Sequence, residues 1–532
     1  MFEGAVPSRI PNPFGVQRSS FALLAFAVIS GCSYFARESQ LATAPVGLQI
    51  RCATASVVGL AWLPPDEHAK VSSYHVYRDG VEIGTSFTPE FDDTSVVDTT
   101  AYSYSIVALS RRRRASPAAS ITATTAAASG NGDAPYCRRR VIDSISWHWS
   151  DAYTQPNGSD LWPVTWGEDG NVYALFGDGG GFGGSDTRGR TSFGAAMMSG
   201  PPPPGPEQQV NLYGGFRSLH PSTISGKGGS VIAVGKDFYA IAGIYRPSDT
   251  QRDYPSQPSG SPHHVGLVYS TGNAFSWRDS GWSFCSASAS GRERLAGRFC
   301  ATGFVNHGKG NAGAPGEYVY LLGVANSPLQ WIGSVAPVPS DTFLARVSKR
   351  RMLKPSSYRY FAGLDPQGRP IWSADVGRML PIFRDRNPPR SGCSGSCNMT
   401  STLADVVYDA QLNRYVGVAQ GDYLSQSSFY DAPAMWGPWT SISYFNIDPA
   451  TGTGGWGNLG TAAGDAMGVH PVNAWTGNEG RTMWMIFSSN GRAPDGASFP
   501  PAGTAMDSFN LVEATFNVVG RRLANEIEKR GP

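Results

Sequence analysis

From about residue 140 to 519 apolar segments recur in pairs, each pair split by a Gly or Asp turn. This recurrence constrains the fold more than any other feature. Five weakly similar blocks emerge. The first holds DLWPVTW, EDGN and VYALFGDGGGF. The second holds KGGSVIAV, GKD and FYAIAGIY, with SWRDSGWSF outermost. The third holds CATGFVNHGKG, EYVYLLGVA, FLARVSKRRM and YRYFAG. The fourth holds ADVVYDAQLNRYVGVAQG and MWGPWTSISYF, and the fifth NAWTGNEGRTMWMIFSS and FNLVEATFNV. Paired hairpins repeating roughly every 60 to 90 residues suit propeller blades with long loops. The chain's 64 Gly, 39 Pro, 14 Trp and 22 Tyr, with 16% charged residues, give the same turn-rich, aromatic-rich β composition. A parallel β-helix is the rival fold, but its short regular rungs are absent. The expectation is an all-β chain with a five-bladed β-propeller over 140–519 and a tail over 520–532.

The N-terminus reads as an export signal. Arg9 and Arg18 precede a short apolar run, Phe21 to Ile29, too short to span a bilayer as a helix and shaped like a secretory h-region. The run ends in Ile29-Ser30-Gly31-Cys32. Small residues followed at once by Cys resemble the bacterial lipobox, which implies cleavage after residue 31 and lipidation of Cys32. Acyl chains gain about 0.8 kcal/mol per buried methylene, enough for a stable anchor when two or three are present. The alternative is a plain secretory signal with an accidental Cys. By resemblance to other lipoproteins, Ser33 in place of Asp favours the outer membrane, on its cell-surface or periplasmic face. The net charge of +2 shows no nucleic-acid footprint. Arg111 to Arg114 and Arg138 to Arg140 read as solvated loops. No later segment has about 18 uninterrupted apolar residues, so no transmembrane helix is expected.

Residues 44–125 read as short strands: VVGLAW from Val57 to Trp62, SYHVYR from Ser73 to Arg78 with the turn Asp79-Gly80, and AYSYSIVA from Ala101 to Ala108. Turn signals recur at sandwich spacing. Pro45-x-x-Leu48, Trp62 before Pro64-Pro65, Tyr74-x-x-Tyr77-Arg78-Asp79-Gly80, Asp92-Asp93 and Tyr102 resemble a fibronectin type III domain. The resemblance implies a spacer or adaptor. The small, polar span 126–139 reads as a linker.

Seven cysteines are present. With Cys32 set aside for lipid, the even remainder fits disulfides in an exported chain. Proximity pairs Cys285 with Cys300 and Cys393 with Cys397; elimination pairs Cys52 with Cys137. Zinc is the alternative, but no His pair at ligand spacing joins these cysteines, so neither a metal nor a cofactor is expected.

No nucleophile elbow, Walker loop or HExxH is present. The glycines of Gly177 to Gly184 follow a strand but no helix pattern follows them, so close backbone approach is favoured over a phosphate cradle. The carboxylates of the first block are more informative. If the turn Glu168-Asp169-Gly170 is a three-residue loop with Gly170 at positive φ, Asp160 lies directly opposite Asp178. Directly opposed residues have Cβ atoms about 4.5 to 5.5 Å apart. With a two-residue turn the two side chains face opposite ways. Two close carboxylates do not both ionise freely, so one pKa rises and an acid stands beside a base, the requirement of glycoside hydrolysis. Trp162, Trp166 and Phe182 are candidate platforms for sugar rings. The alternative is that both Asp residues satisfy loop amides.

Asp160-Leu161-Trp162-Pro163 with Thr165-Trp166, Phe176-Gly177-Asp178-Gly179, Lys227, Phe304 to Lys309, Tyr318-Val319-Tyr320, Ala345-Arg346-Val347, Trp436-Gly437-Pro438-Trp439 and Asp507 to Leu511 resemble a bacterial propeller family long catalogued as a domain of unknown function. Some of its members are endo-D-arabinanases. The resemblance implies a cell-surface glycoside hydrolase cutting a furanose polysaccharide such as arabinan. Asp160 and Asp178 would be acid and base or nucleophile; Trp162, Lys227, Asn306 and Asp405 would contact substrate. A salt-bridged Lys and loop-capping Asn and Asp are the alternatives for those positions. Two inserts, Pro201 to Pro206 and Cys393 to Cys397, depart from the family's pattern and bear on the substrate. A non-catalytic glycan-binding or adhesion lipoprotein is the second functional reading.

Overall fold

The computed structural model describes residues 43–65, 71–127, 134–137, 141–245, 250–251, 254–258, 264–286, 299–325, 340–365, 367–385, 402–420, 427–444, 466–489 and 508–519. Cys32, Cys393, Cys397 and Arg138 to Arg140 lie outside the described residues. The regular structure described is strand and short 3-10 turns, so the chain is all-β.

The first strands form a three-on-four sandwich. Val46–Ala53, Val58–Leu63 and Glu90–Asp93 make one sheet; Val81–Ser86, Val71–Arg78, Ala101–Ser110 and Ala119–Thr124 make the other. Alternation along each strand sends Trp62, Tyr74, Val76, Tyr104 and Ile106 into one core. Trp62 meets Tyr74 edge-on at 5.2 Å. Asp79 and Gly80 both take positive φ, 51° and 81°, as a tight hairpin between right-twisted strands needs. The Tyr102 hydroxyl accepts from the Val97 amide at 2.8 Å, a tyrosine corner. These features make the unit a fibronectin type III-like sandwich.

Among the described residues five antiparallel sheets follow, the third and fourth joined edge to edge, beside a two-stranded ribbon of Thr250–Gln251 and Tyr254–Pro258. Their inner strands are Val164–Trp166, Gly226–Val234, Cys300–Asn306, Thr402–Asp409 and Ala466–Gly477. Each inner strand lies against the next, and the fifth returns to the first, so the five sheets close a ring. Between the third and fourth sheets the inner strands pair in parallel, Val305 with Val406. Ile142–Trp147, the strand before the first sheet, pairs with Ser508–Val518 as the outer strand of the last. The two ends of this region are thereby held in one sheet, over a core that includes Ile142, Val512, Ala514 and Phe516. The third sheet carries an extra hairpin, Arg359–Leu364 with Pro370–Ser373.

The span 126–139, expected as a linker, is packed where it is described near its end. Tyr136 and Cys137 are buried. The Tyr136 hydroxyl accepts from the Arg384 amide at 2.6 Å, and the Cys137 carbonyl accepts from Ser441 at 3.3 Å. A disulfide joins Cys137 to Cys52 of the sandwich. The other described pair is Cys285 with Cys300. Apolar burial of Tyr136 is what the composition of the span concealed.

Candidate functional site

The hairpin that opens the first sheet has the three-residue loop. Gly167 donates to Asn171 at 2.8 Å, Gly170 to Gly167 at 3.0 Å, and Gly170 has φ 97°. Val164 therefore stands opposite Ala174, and Trp166 opposite Val172. That register, run backwards, sets Asp160 against Asp178. The structure departs from it: Asp160 bridges Gly177 instead. The slip of one residue arises at Leu161 and Trp162, which take φ 73° and 50°. Such a slip alone turns a side chain to the other face, but Asp178 itself takes φ 58°. Left-handed backbone at non-glycine residues costs of order 1–2 kcal/mol each and collects at functional sites.

Both carboxylates act on one cation. Lys227, at the start of the second sheet's inner strand, donates from Nζ to Asp178 Oδ2. Burial opposes its charge, but Asp160 and then Asp178 more than offset this and hold its pKa well above the ordinary lysine value. The side chains of Lys227 and Asp178 are 18% and 15% exposed, so solvent still reaches the group. Asp178 Oδ1 is buried and has no hydrogen-bond partner among the described residues. The Lys227 ammonium at Asp178 is a charge that the sequence argument from two carboxylates alone did not include.

The glycine run Gly177 to Gly184 is there for close packing. A Cβ on Gly179 would fall 1.9 Å from the Gly158 carbonyl oxygen. Ser159 Oγ accepts from the Gly181 amide at 2.8 Å. The loop thus lies directly on the segment that carries Asp160.

The remaining site candidates fall elsewhere. Trp162 is fully buried; its ring stacks on Phe176 and packs against Phe182 and Phe509, and Nε1 donates to Ser159. It is core, not an open sugar platform, because the left-handed turn rolls it inward. Phe182 is buried beside it. Asn306 is the last residue of its inner strand, remote from the leading ends where Asp160 and Lys227 sit. It donates to Thr165 at 3.3 Å and accepts from Asn473 at 3.2 Å, within a polar network that also takes the Ala233 amide. Asp405 Oδ2 lies 2.9 Å from His470 Nδ1, and the Leu161 carbonyl accepts from Nε2 of the same ring at 2.6 Å. Sequence reading missed His470. It lies 65 residues from Asp405 and 309 from Leu161, and no local pattern marks it.

Four inner strands carry a register irregularity: between Gly228 and Ser230, Ala301 and Gly303, Leu403 and Asp405, and Met467 and His470. Bulges re-aim side chains and recur beside active sites. Among the described residues no group of three or more His, Cys, Asp or Glu is placed to hold a metal, and no helix is long and apolar enough to cross a membrane.

No family model matches the chain. It is similar to exoglucanase B of Cellulomonas fimi, 30% identical over 125 residues, covering 22% of this chain and 12% of that protein. A poly(3-hydroxybutyrate) depolymerase of Ralstonia pickettii is 34% identical over 90 residues, covering 17% and 18%. An alpha-amylase of Niallia circulans is 34% identical over 91 residues, covering 17% and 7%. The chain thus spans less than a fifth of the length of each of these relatives, in stretches the size of one small module. Among solved structures, fibronectin(III)-like modules of Clostridium thermocellum CbhA align at 21% identity and a TM-score of 0.14, covering 16% of this chain and 96% of that one. The sixth fibronectin type III domain of a human protein aligns at 19% identity and 0.16, covering 18% and 94%. Scores of this size carry no weight, and the sandwich rests on its own strand order.

Proposed function

We propose that this protein is a carbohydrate-active enzyme, a glycoside hydrolase, whose ring of five sheets is a five-bladed β-propeller with its site at the leading ends of the first two inner strands. The observation that carries the reading is the contact of Lys227 Nζ with Asp178 Oδ2, with Asp160 acting on the same ammonium from the opposite strand of that hairpin. Glycoside hydrolysis needs two carboxyl groups across one bond, one to protonate the leaving oxygen and one to act as base or nucleophile. Asp160 and Asp178, which both act on Lys227, take these two roles between them. The names exoglucanase and alpha-amylase among the relatives support a carbohydrate setting. The resemblance in the residues around Asp160 and Asp178 supports a furanose polysaccharide such as arabinan as substrate. Cys32 anchors the protein by lipid at the outer membrane, and the sandwich joins anchor to ring.

The test is a screen of purified wild-type protein against a polysaccharide panel that includes arabinan. Chain shortening with new reducing ends supports the proposal. Binding without any cleavage rejects it in favour of a glycan-binding or adhesion lipoprotein. For the anchor, Cys32→Ser releases the protein from membranes or leaves an uncleaved precursor; unchanged attachment and processing reject it.

A further inference from the structure

Asp160 is followed by two consecutive left-handed residues, and something must hold that turn. Leu161 and Trp162 both stand at positive φ, where side chain and backbone crowd each other and neighbours must over-determine the conformation. Burial of the Trp162 ring accounts for one side. The other side is the Leu161 carbonyl, which points away from the first sheet toward the fifth. There it accepts from His470 Nε2 at 2.6 Å, while Nδ1 of the same ring faces Asp405 Oδ2 at 2.9 Å. His470 is 3% exposed, so its ring is shielded from bulk water. A Cβ on Gly468 would lie 2.5 Å from the Leu161 oxygen and 2.8 Å from His470 Nε2. The fifth sheet thus leaves room for this one hydrogen bond and nothing larger. Both Asp405 and His470 follow irregularities in their strands' registers.

We propose that His470, oriented by Asp405, is a positioning residue for Asp160. It fixes the Leu161 carbonyl and, through it, the turn that sets the direction of the Asp160 carboxylate. The inference rests on the hydrolase reading for its catalytic consequence, but not for its geometry. A carboxylate–imidazole–acceptor chain of this kind sets ring orientation wherever histidine serves as a support. Here the supported group is a backbone carbonyl one residue from an acid, and the two supporting strands come from the fourth and fifth sheets. The arrangement ties the acid's direction to closure of the whole ring.

The pair His470→Asn and His470→Gln separates this role from a plain strut. An Asn amide occupies the place of Nδ1, so it keeps Asp405 and loses Leu161. A Gln amide occupies the place of Nε2, so it keeps Leu161. Both variants are polar and of similar volume, and both are checked for folding by thermal unfolding. In His470→Asn, kcat on the wild-type polysaccharide substrate is expected to fall about 10- to 100-fold, the range seen for residues supporting a primary site group, with KM within about twofold. His470→Gln is expected to recover most of that loss. Crystal structures form the second arm: the Asn variant is expected to show Leu161 out of the left-handed region and Asp160 turned from Lys227, and the Gln variant the wild-type turn. An unchanged turn in the Asn variant overturns the proposal, as does equal loss of kcat in both variants. If wild type cleaves no polysaccharide, the hydrolase reading fails while the crystallographic arm still decides whether His470 sets the turn.

Discussion

Lys227 of the second sheet donates to Asp178 at the end of the first sheet's second strand, with Asp160 acting on the same ammonium. The two sheets share no strand pairing, so this contact is a polar tie between neighbours as well as a feature of the site. Removing the cation leaves two acids close together and poorly solvated. Breaking one partner out of a largely buried ion pair costs about 3–5 kcal/mol, at the upper end.

Lys227→Met is therefore expected to destabilise the ring by about 3 kcal/mol at neutral pH. Adding Asp178→Asn should recover part of that loss, since one uncompensated charge goes with it. The sign with pH follows from the raised lysine pKa. Its contribution is fully present below the unfolded lysine value of about 10.4 and is lost as pH rises through the higher folded value. Urea unfolding of wild type and variant should show a constant gap from neutral pH to about 10.4, narrowing only above. A gap that closes between neutral pH and about 10.4 would contradict the assignment.

Trp162 separates core from platform. Its ring lies among Phe176, Phe182 and Phe509 with no exposed face. Trp162→Ala is expected to cost about 3–5 kcal/mol, read as a lower urea midpoint. Trp162→Phe, which keeps a ring in the cluster, should retain glycan affinity. A selective loss of affinity in a stable Trp162→Phe protein would restore the platform reading.

The all-β class and the sandwich were legible in the sequence because both rest on local signals. Alternation, the Asp79-Gly80 turn and the Trp62 core position need only neighbours a few residues away. The loop type at Gly167 to Asn171 was open between a two- and a three-residue turn, and the three-residue loop that forms sets the register for most of the hairpin. Asp160 still missed Asp178 as a direct partner, because no local rule announces two non-glycine left-handed residues at Leu161 and Trp162. Their support comes from His470 and Gly468, some three hundred residues on. The roles of Lys227 between two acids, Asp405 beneath an imidazole and Asn306 in an axial network are likewise set by ring closure. So is the place of Ile142–Trp147, which pairs with the last strand of the chain's last sheet.

His307 gives a pH test of the far end of the inner strands. It is buried, with Nδ1 donating to the Val305 carbonyl at 3.2 Å and Nε2 accepting from the Tyr415 hydroxyl at 3.4 Å. Burial pushes its pKa down from 6.5 to about 4. A neutral buried histidine stabilises the fold above the unfolded value of about 6.5, and that stability is lost as pH falls toward the folded value. The loss amounts to about 3 kcal/mol over the window. His307→Gln should flatten the stability profile between about pH 6.5 and 4, as measured by denaturant midpoints. An unchanged slope would show that other groups govern acid unfolding.

The last prediction concerns the acid pair. Asp160→Asn and Asp178→Asn keep the size of each side chain but remove proton exchange near neutral pH. If the two carboxyl groups act as acid and base or nucleophile, each variant should lose about 10²- to 10⁴-fold in kcat, the value of general acid–base catalysis. The double variant should be little worse than either single one, because the groups work as a unit. Substrate affinity should largely survive, since neither change removes buried apolar surface. Stability separates the two positions from a merely structural role. Each substitution takes one anion from Lys227, so some destabilisation is expected from both, with the Asp178 change also replacing the direct hydrogen-bonded anion. Steady-state kinetics on the active polysaccharide, read beside urea midpoints for the same proteins, makes the comparison. A hydrolase whose kcat barely responds to either substitution would place its catalytic acids elsewhere in the ring.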